Sequence, residues 1–183
     1  MNHLHKLISS RRTIHEFEPD RLPPADLILK GLELACWAPN HHHVEPWQFY
    51  LPGPLTQAAI CQLNADCVAS AKGELAAEKK LARWQCMPGW LVVTSARAVD
   101  PVREQENYAA CCCAVQNLAL YLWEHGVGLK WSTGDVTRSE KFMQLLGADA
   151  ESERVVGLFW YGYPQVVPKM SRRPVTESIK ELP

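Results

Sequence analysis

Val155-Val-Gly-Leu-Phe-Trp-Tyr-Gly-Tyr163 is the stretch that decides the fold class. It is the most apolar strand candidate in the chain, dense in β-branched and aromatic side chains, and it reads as the buried centre of a sheet. Working back from it, Leu129–Ser132 is a second strand candidate, Trp90–Thr94 (WLVVT) a third, and Trp47–Leu51 (WQFYL) a fourth, bounded by Pro46 and Pro52-Gly53-Pro54. Helices fill the gaps. Val102–His125 carries Tyr108, Cys112, Val115, Ala119 and Leu122 at spacings of three and four, which predicts one buried face, and Gly126 and Gly128 close it. Leu55–Cys86, rich in Ala, Leu, Glu and Lys, predicts one or two helices, and Arg138–Leu145 a short one. A run opened by Pro24, with Leu27, Ile28, Leu32, Leu34 and Ala35, predicts another that stops before Ala38-Pro39, and His3–Ser10 predicts the first. Strands separated by helices of unequal length, without internal repeats, describe a layered α/β or α+β domain.

At 183 residues and 47% hydrophobic content the chain is expected to form one domain over 1–183, with a polar tail at 164–183. Nineteen Lys and Arg against twenty Asp and Glu leave a formal charge of -1, so nothing global attracts nucleic acid or an anionic membrane, and any bound anion must be held locally. The start of the chain lacks a long apolar segment and no apolar run approaches the ~20 residues of a bilayer span, so a cytoplasmic location is expected. The seven cysteines include no C-x-x-C pair and argue for reduced, packed thiols, with Cys112 expected in the core. Neither a G-x-G-x-x-G nor a G-x-x-x-x-G-K-[ST] phosphate loop is present, which disfavours Rossmann and P-loop nucleotide binding.

Three segments far apart in the sequence remain. Arg11-Arg12-Thr13-Ile14-His15-Glu16-Phe17 is the first, and Ala38-Pro39-Asn40-His41-His42-His43-Val44-Glu45-Pro46-Trp47-Gln48-Phe49 the second. The third comprises Gly126-Val127-Gly128, the turn Trp131-Ser132-Thr133-Gly134, and Val155–Gly162 leading to Tyr163-Pro164 and Ser171-Arg172-Arg173-Pro174-Val175. In order and spacing they resemble the signature segments of the nitroreductase family, FMN-dependent enzymes that reduce nitro groups, quinones and related acceptors, and the compact chain is similar to its short members.

That resemblance implies an α+β nitroreductase fold, a central mostly antiparallel sheet flanked by helices, in an intertwined homodimer with FMN at the interface. It implies that Arg11, Arg12, Thr13 and Arg172 hold the phosphate and ribityl chain, with the tail completing the site and Lys169 and Arg173 as second choices. Arginine suits phosphate because its planar fork makes paired hydrogen bonds. His41 and His43, with Trp37 beside them, are implied to reach a flavin across the interface. Trp131, Ser132, Thr133 and Gly134 are implied to present backbone N–H groups to it, the Thr133 amide toward N5. No side chain is required as catalytic acid or base. NADH or NADPH would donate hydride to a small-molecule acceptor in a ping-pong sequence, the cofactor doing the redox chemistry.

The chain departs from the pattern at three positions. His15 stands where many members have Arg or Lys near the flavin N1–O2 edge, and with an ordinary histidine its help to reduction would set in below about pH 6.5. Glu45 replaces a usual Gln, and an acid close to a phosphate needs an Arg partner. Thr13 replaces Ser. Other readings stay open on the residues alone: Arg11 and Arg12 as a solvated helix end, His42 as a surface residue, a dimeric flavin-binding protein without NAD(P)H turnover, and a His/Cys metal protein. Against the last, consecutive histidines in extended chain point to alternate faces and do not converge on an ion.

Overall fold

The computed structural model describes residues 2–183, and in it the four apolar runs become one sheet. Strands β1 (Trp47–Tyr50), β2 (Gly89–Ala96), β3 (Gly128–Ser132) and β4 (Glu153–Gly162) lie in the order β1-β2-β4-β3, every neighbouring pair antiparallel. The two most apolar strands take the centre, where both faces are covered, and the side-chain alternation of a strand divides the core in two. Leu91, Val93, Phe159 and Tyr161 face one way; Trp90, Val92, Leu158 and Trp160 face the other. This is the α+β architecture expected from the sequence.

Six helices cover the sheet: α1 (His3–Ser10), α2 (Ala25–Ala35), α3 (Pro54–Lys72), α4 (Glu74–Gln85), α5 (Pro101–Glu124) and α6 (Glu140–Leu146). α2 and α5 close the first face through Ile28, Leu32, Ala114, Leu118 and Leu122, while Ile60 of α3, Trp84 of α4 and Phe142 of α6 close the second. The stretch predicted as one or two helices is two because Gly73 sits at φ +85°, a conformation that favours glycine and ends α3. The last helix starts at Glu140 rather than Arg138: Ser139 caps it by accepting the Phe142 N–H, and Asp135–Arg138 forms a separate 3-10 turn. None of the described helices is long and apolar enough to cross a membrane.

The buried face of α5 contains Val115, Ala119 and Leu122 of the predicted stripe and widens to Asn107, Ala110, Cys111, Ala114 and Leu118; Cys111 is fully buried, whereas Cys112 is only half-buried. Tyr108 packs at the margin of the core, its ring centroid 4.9 Å from the Arg154 guanidinium. The thiols are all free, but Cys36, Cys86 and Cys113 are exposed, so packing accounts for only part of the set. α5 opens on Asp100, whose side chain accepts the Val102 N–H at 3.0 Å ahead of Pro101. Asp100→Ala is expected to cost about 1 kcal/mol in a urea melt, the usual effect of losing such a cap.

Candidate functional site at the open edge of the sheet

β3 is an edge strand, and the chain after α1 meets its outer side at Leu129 before bending away at His15. Ser10 ends α1 by accepting a hydrogen bond from Trp123 Nε1 at 2.9 Å, and the Ile14 N–H then donates to the Leu129 carbonyl at 3.2 Å, pairing Thr13 with Leu129 in parallel. Gly128 makes this approach possible, since a Cβ there would lie 2.3 Å from the Ile14 side chain. The start of the tail joins the same bundle: Gln165 N–H donates to Glu16 O and Glu18 N–H to Tyr163 O.

This path brings together three cations from the two ends of the sequence. Arg11 is partly buried, and burial followed by the charges of Arg172 and Arg12 lowers its pKa from the ordinary arginine value. Among the described residues none of the three forms an ion pair. Arg12 turns back to donate to the carbonyls of Ser9 (2.8 Å) and Arg11 (2.9 Å), so it caps α1 as well as adding charge. Like charges gathered without a counter-ion lower the stability of the free protein and favour an anion between them.

At the other end of β3 the turn after Ser132 is braced so that it offers donors. Thr137 donates its hydroxyl (2.8 Å) and N–H (2.9 Å) to the Gly134 carbonyl, and Arg138 Nη2 donates to the Thr133 carbonyl at 3.2 Å. The Thr133 N–H has no partner among the described residues. Because Leu129 turns its carbonyl to the outer edge, the alternation of a strand turns the main-chain groups of Trp131 the same way. The Trp131 indole folds over Gly157 and donates to the Val156 carbonyl at 3.0 Å, fixing the turn against β4.

Between these ends lies a feature that sequence reading missed. His15 is exposed, its carbonyl accepting from Arg83 Nη2 at 3.4 Å, and its pKa is lowered by partial burial and then by Lys130 and Arg83. Lys130 is itself held below the ordinary lysine value by burial, Arg83 and Lys80, with Nζ 5.0 Å from the Trp160 ring centroid. The signal was obscured because these cations come from β3 and α4, more than forty residues apart in sequence. For His15 the consequence is that the unfolded chain takes up its proton first as pH falls through about 6.5, so the residue subtracts stability on the acid side. His15→Gln is expected to narrow the difference in melting temperature between pH 7 and pH 5.

The second segment sits elsewhere. His41–His43 is a 3-10 turn rather than extended chain, with His42, His43 and Glu45 all at positive φ (55°, 53° and 46°), a strained backbone for non-glycine residues. His41 Nδ1 lies 3.6 Å from Glu106, its ring stacks edgewise on His42, and His43 lines a hollow of about 580 Å³ with Trp37, which is 83% exposed. Glu45 has no Arg partner among the described residues; its own N–H donates to Asn40 Oδ1. Glu106 and Trp123, the α5 residues that touch this segment and the Arg11 end respectively, are separated by seventeen residues, about 25 Å along a helix. One chain therefore does not unite Trp37, His41 and His43 with the arginines.

Residues 8–163 match the family model described as "Nitroreductase family". The chain belongs to the nitroreductase family. With that membership it is an oxidoreductase. Among similar proteins, YfhC of Bacillus subtilis (strain 168), assigned by name to the NAD(P)H nitroreductases, is 30% identical over 185 residues, 98% of this chain and 94% of that one. The crystal structure of a nitroreductase-like family protein from Bacillus cereus superposes with a TM-score of 0.85 at 28% identity, covering all of this chain and 97% of that one. A nitroreductase from Desulfovibrio desulfuricans, solved in complex with FMN, superposes at 0.78 and 20% identity over 100% of this chain and 98% of its own; that likeness is one of fold.

Proposed function

We propose that this nitroreductase binds FMN along the β3 edge of a homodimer and carries electrons from NADH or NADPH to a small oxidised acceptor such as a nitroaromatic or quinone. The observation that carries this reading is the meeting of Arg11, Arg12 and Arg172, free of ion pairs, at one end of an edge whose other end offers the unpartnered Thr133 amide. A phosphate monoester carries nearly two negative charges, and charge-assisted hydrogen bonds from paired guanidiniums match it. From Leu129 to Thr133 the strand advances about 13 Å, the scale of a phosphorylated ribityl chain joined to a flat ring. The donor set fits FMN end for end.

FMN, when bound, supplies the two-electron chemistry, taking hydride from NAD(P)H and, after the oxidised nicotinamide leaves, reducing the acceptor in a ping-pong sequence. The chain's part is to hold and orient. Arg11, Arg172 and Thr13 would hold the phosphate and ribityl end, the tail 164–183 completing that end of the site. The Trp131–Gly134 turn would orient the ring with main-chain N–H groups, which add no titrating group. Beside Thr133 a cavity of about 480 Å³, walled by Tyr108, Arg138 and Arg154, has the volume for an acceptor.

A second copy would supply what one chain lacks. Trp37, His41 and His43, all exposed near the far end of α5, are suited to cover the ring of a partner. The tail supports the same assembly: within this polar segment the apolar Val166, Val167, Met170, Val175, Ile179 and Leu182 are all exposed in the single chain.

The test is a visible spectrum of the purified protein, followed by anaerobic mixing with NADPH and with NADH and by sizing in solution. Bound oxidised flavin that bleaches in one turnover, on a dimer, is the expected result. Flavin that binds but stays oxidised would point to a carrier or sensor. A folded monomer without affinity for added FMN would end the proposal.

A further inference from the structure

Lys130, Arg83 and Lys80 form a second cationic cluster for which the proposed function has assigned no task. Lys130 projects from the middle of β3 onto the second face of the sheet, where its ammonium stands over Trp160, and Lys80 lies 5.9 Å from the neighbouring Trp84 ring centroid. Each of these two lysines has its pKa lowered first by burial, then by Arg83. None of the three cations is ion-paired among the described residues, and the only acid that registers at this spot is Glu16, acting on His15. A surface cluster held by chance would be expected to relax toward carboxylates or water. Here the aromatic floor of Trp84 and Trp160 and the anchoring of Arg83 to the His15 carbonyl keep the charges together.

The location is informative as well. The N-terminal segment meets β3 at the single Thr13–Leu129 bridge, bends at His15 and turns back to pair Phe17 with Pro164, so among the described residues no further backbone pairing lies on the β3 edge beyond Leu129. Along β3, Lys130 lies between Leu129, where the Arg11 segment meets the strand, and the Thr133 turn, beside the path assigned to FMN.

We infer that Lys130 and Arg83, with Lys80 behind them, supply the positive charge that favours the reduced state of the bound flavin, and that His15 does not. This rests on the proposed function. The physical reason is that the ring gains negative charge on reduction, and a desolvated ammonium without a counter-ion interacts with it more strongly than a screened surface pair would. Burial, then the charges of Lys130 and Arg83, disfavour the charged form of the His15 imidazole.

The experiment measures the affinity of oxidised and of dithionite-reduced FMN, and the midpoint potential of the bound flavin, for wild type, Lys130→Met, Arg83→Met and His15→Gln at pH 8. Lys130→Met is expected to weaken the reduced form about tenfold more than the oxidised form, which for a two-electron couple moves the midpoint about 30 mV more negative. Arg83→Met shifts in the same direction, and His15→Gln leaves the ratio as in wild type. Lys130→Gln and a melting curve guard against a folding defect. A reduced-to-oxidised affinity ratio that Lys130→Met and Arg83→Met both leave unaltered overturns the inference while wild-type flavin binding stands. Absence of flavin binding in wild type overturns the broader reading and this one with it.

Discussion

Arg11→Gln is expected to weaken FMN binding by about 10- to 100-fold without destabilising the flavin-free protein. Hydrogen bonds to charged groups contribute about 1.5–3 kcal/mol, and about 1.4 kcal/mol corresponds to a factor of ten in affinity. The sign of the stability effect is set by the environment of Arg11 in the free protein. Its charged form is disfavoured by burial, by Arg172 and by Arg12, so the folded state gains nothing from that charge until an anion arrives. Glutamine keeps most of the side-chain stem and its packing while removing the repulsion. The melting temperature of the apoprotein should then hold or rise. Added salt should stabilise wild type more than the variant, because screening relieves a repulsion the variant lacks. Titration of apoprotein with FMN, followed by quenching of flavin fluorescence, gives the affinity. A variant that binds FMN as tightly as wild type would remove Arg11 from the phosphate site and with it the strongest support for the proposed function.

The same arginines show where sequence reading reached and where it stopped. The sheet was legible because β2 and β4 are buried on both faces, so their apolar runs had no helical alternative of sufficient length. α5 was legible in extent and, through Val115, Ala119 and Leu122, in much of its buried face, while Tyr108 and Cys112 are only partly buried, Tyr108 lying under Arg154 at the margin of the core. The Arg11–Arg172 meeting was reached only through family resemblance, since no periodicity links residues at opposite ends of the chain. Lys130, Arg83 and Lys80 were invisible because a cation in a strand and two on a helix read as solvated surface until the fold stacks them over two tryptophans. The histidine turn failed for a different reason. Extended chain was the natural assumption between Pro39 and Pro46, because positive φ is uncommon for any non-glycine residue, even for histidine, which adopts it more often than most.

Trp160→Ala should be the most destabilising of these substitutions, costing about 3–5 kcal/mol. Trp160 is buried near the C-terminal end of β4, its ring 4.8 Å from Trp84 and 5.7 Å from Trp90 between centroids, both edge-on. The three indoles join α4 to the two central strands, so truncation empties a site walled by large, rigid rings that cannot collapse into it. The indole N–H of Trp160 has no hydrogen-bond partner although it is buried, so the loss is one of packing and not of a hydrogen bond. Trp160→Phe removes that unsatisfied donor, whose burial costs about 1–3 kcal/mol, and this offsets part of the lost contact area. Phenylalanine should therefore be far milder than alanine, an order that simple area would not give so strongly. Against a typical total stability of about 5–15 kcal/mol, the alanine variant should lose about a fifth or more of its resistance to urea. Its failure should begin at the α4–sheet contact, exposing tryptophan fluorescence before the circular dichroism of α5 is lost. An alanine variant with the wild-type urea midpoint would mean that α4 is tied to the sheet by something other than the three tryptophans, and that Lys130 stands over a floor the fold does not need.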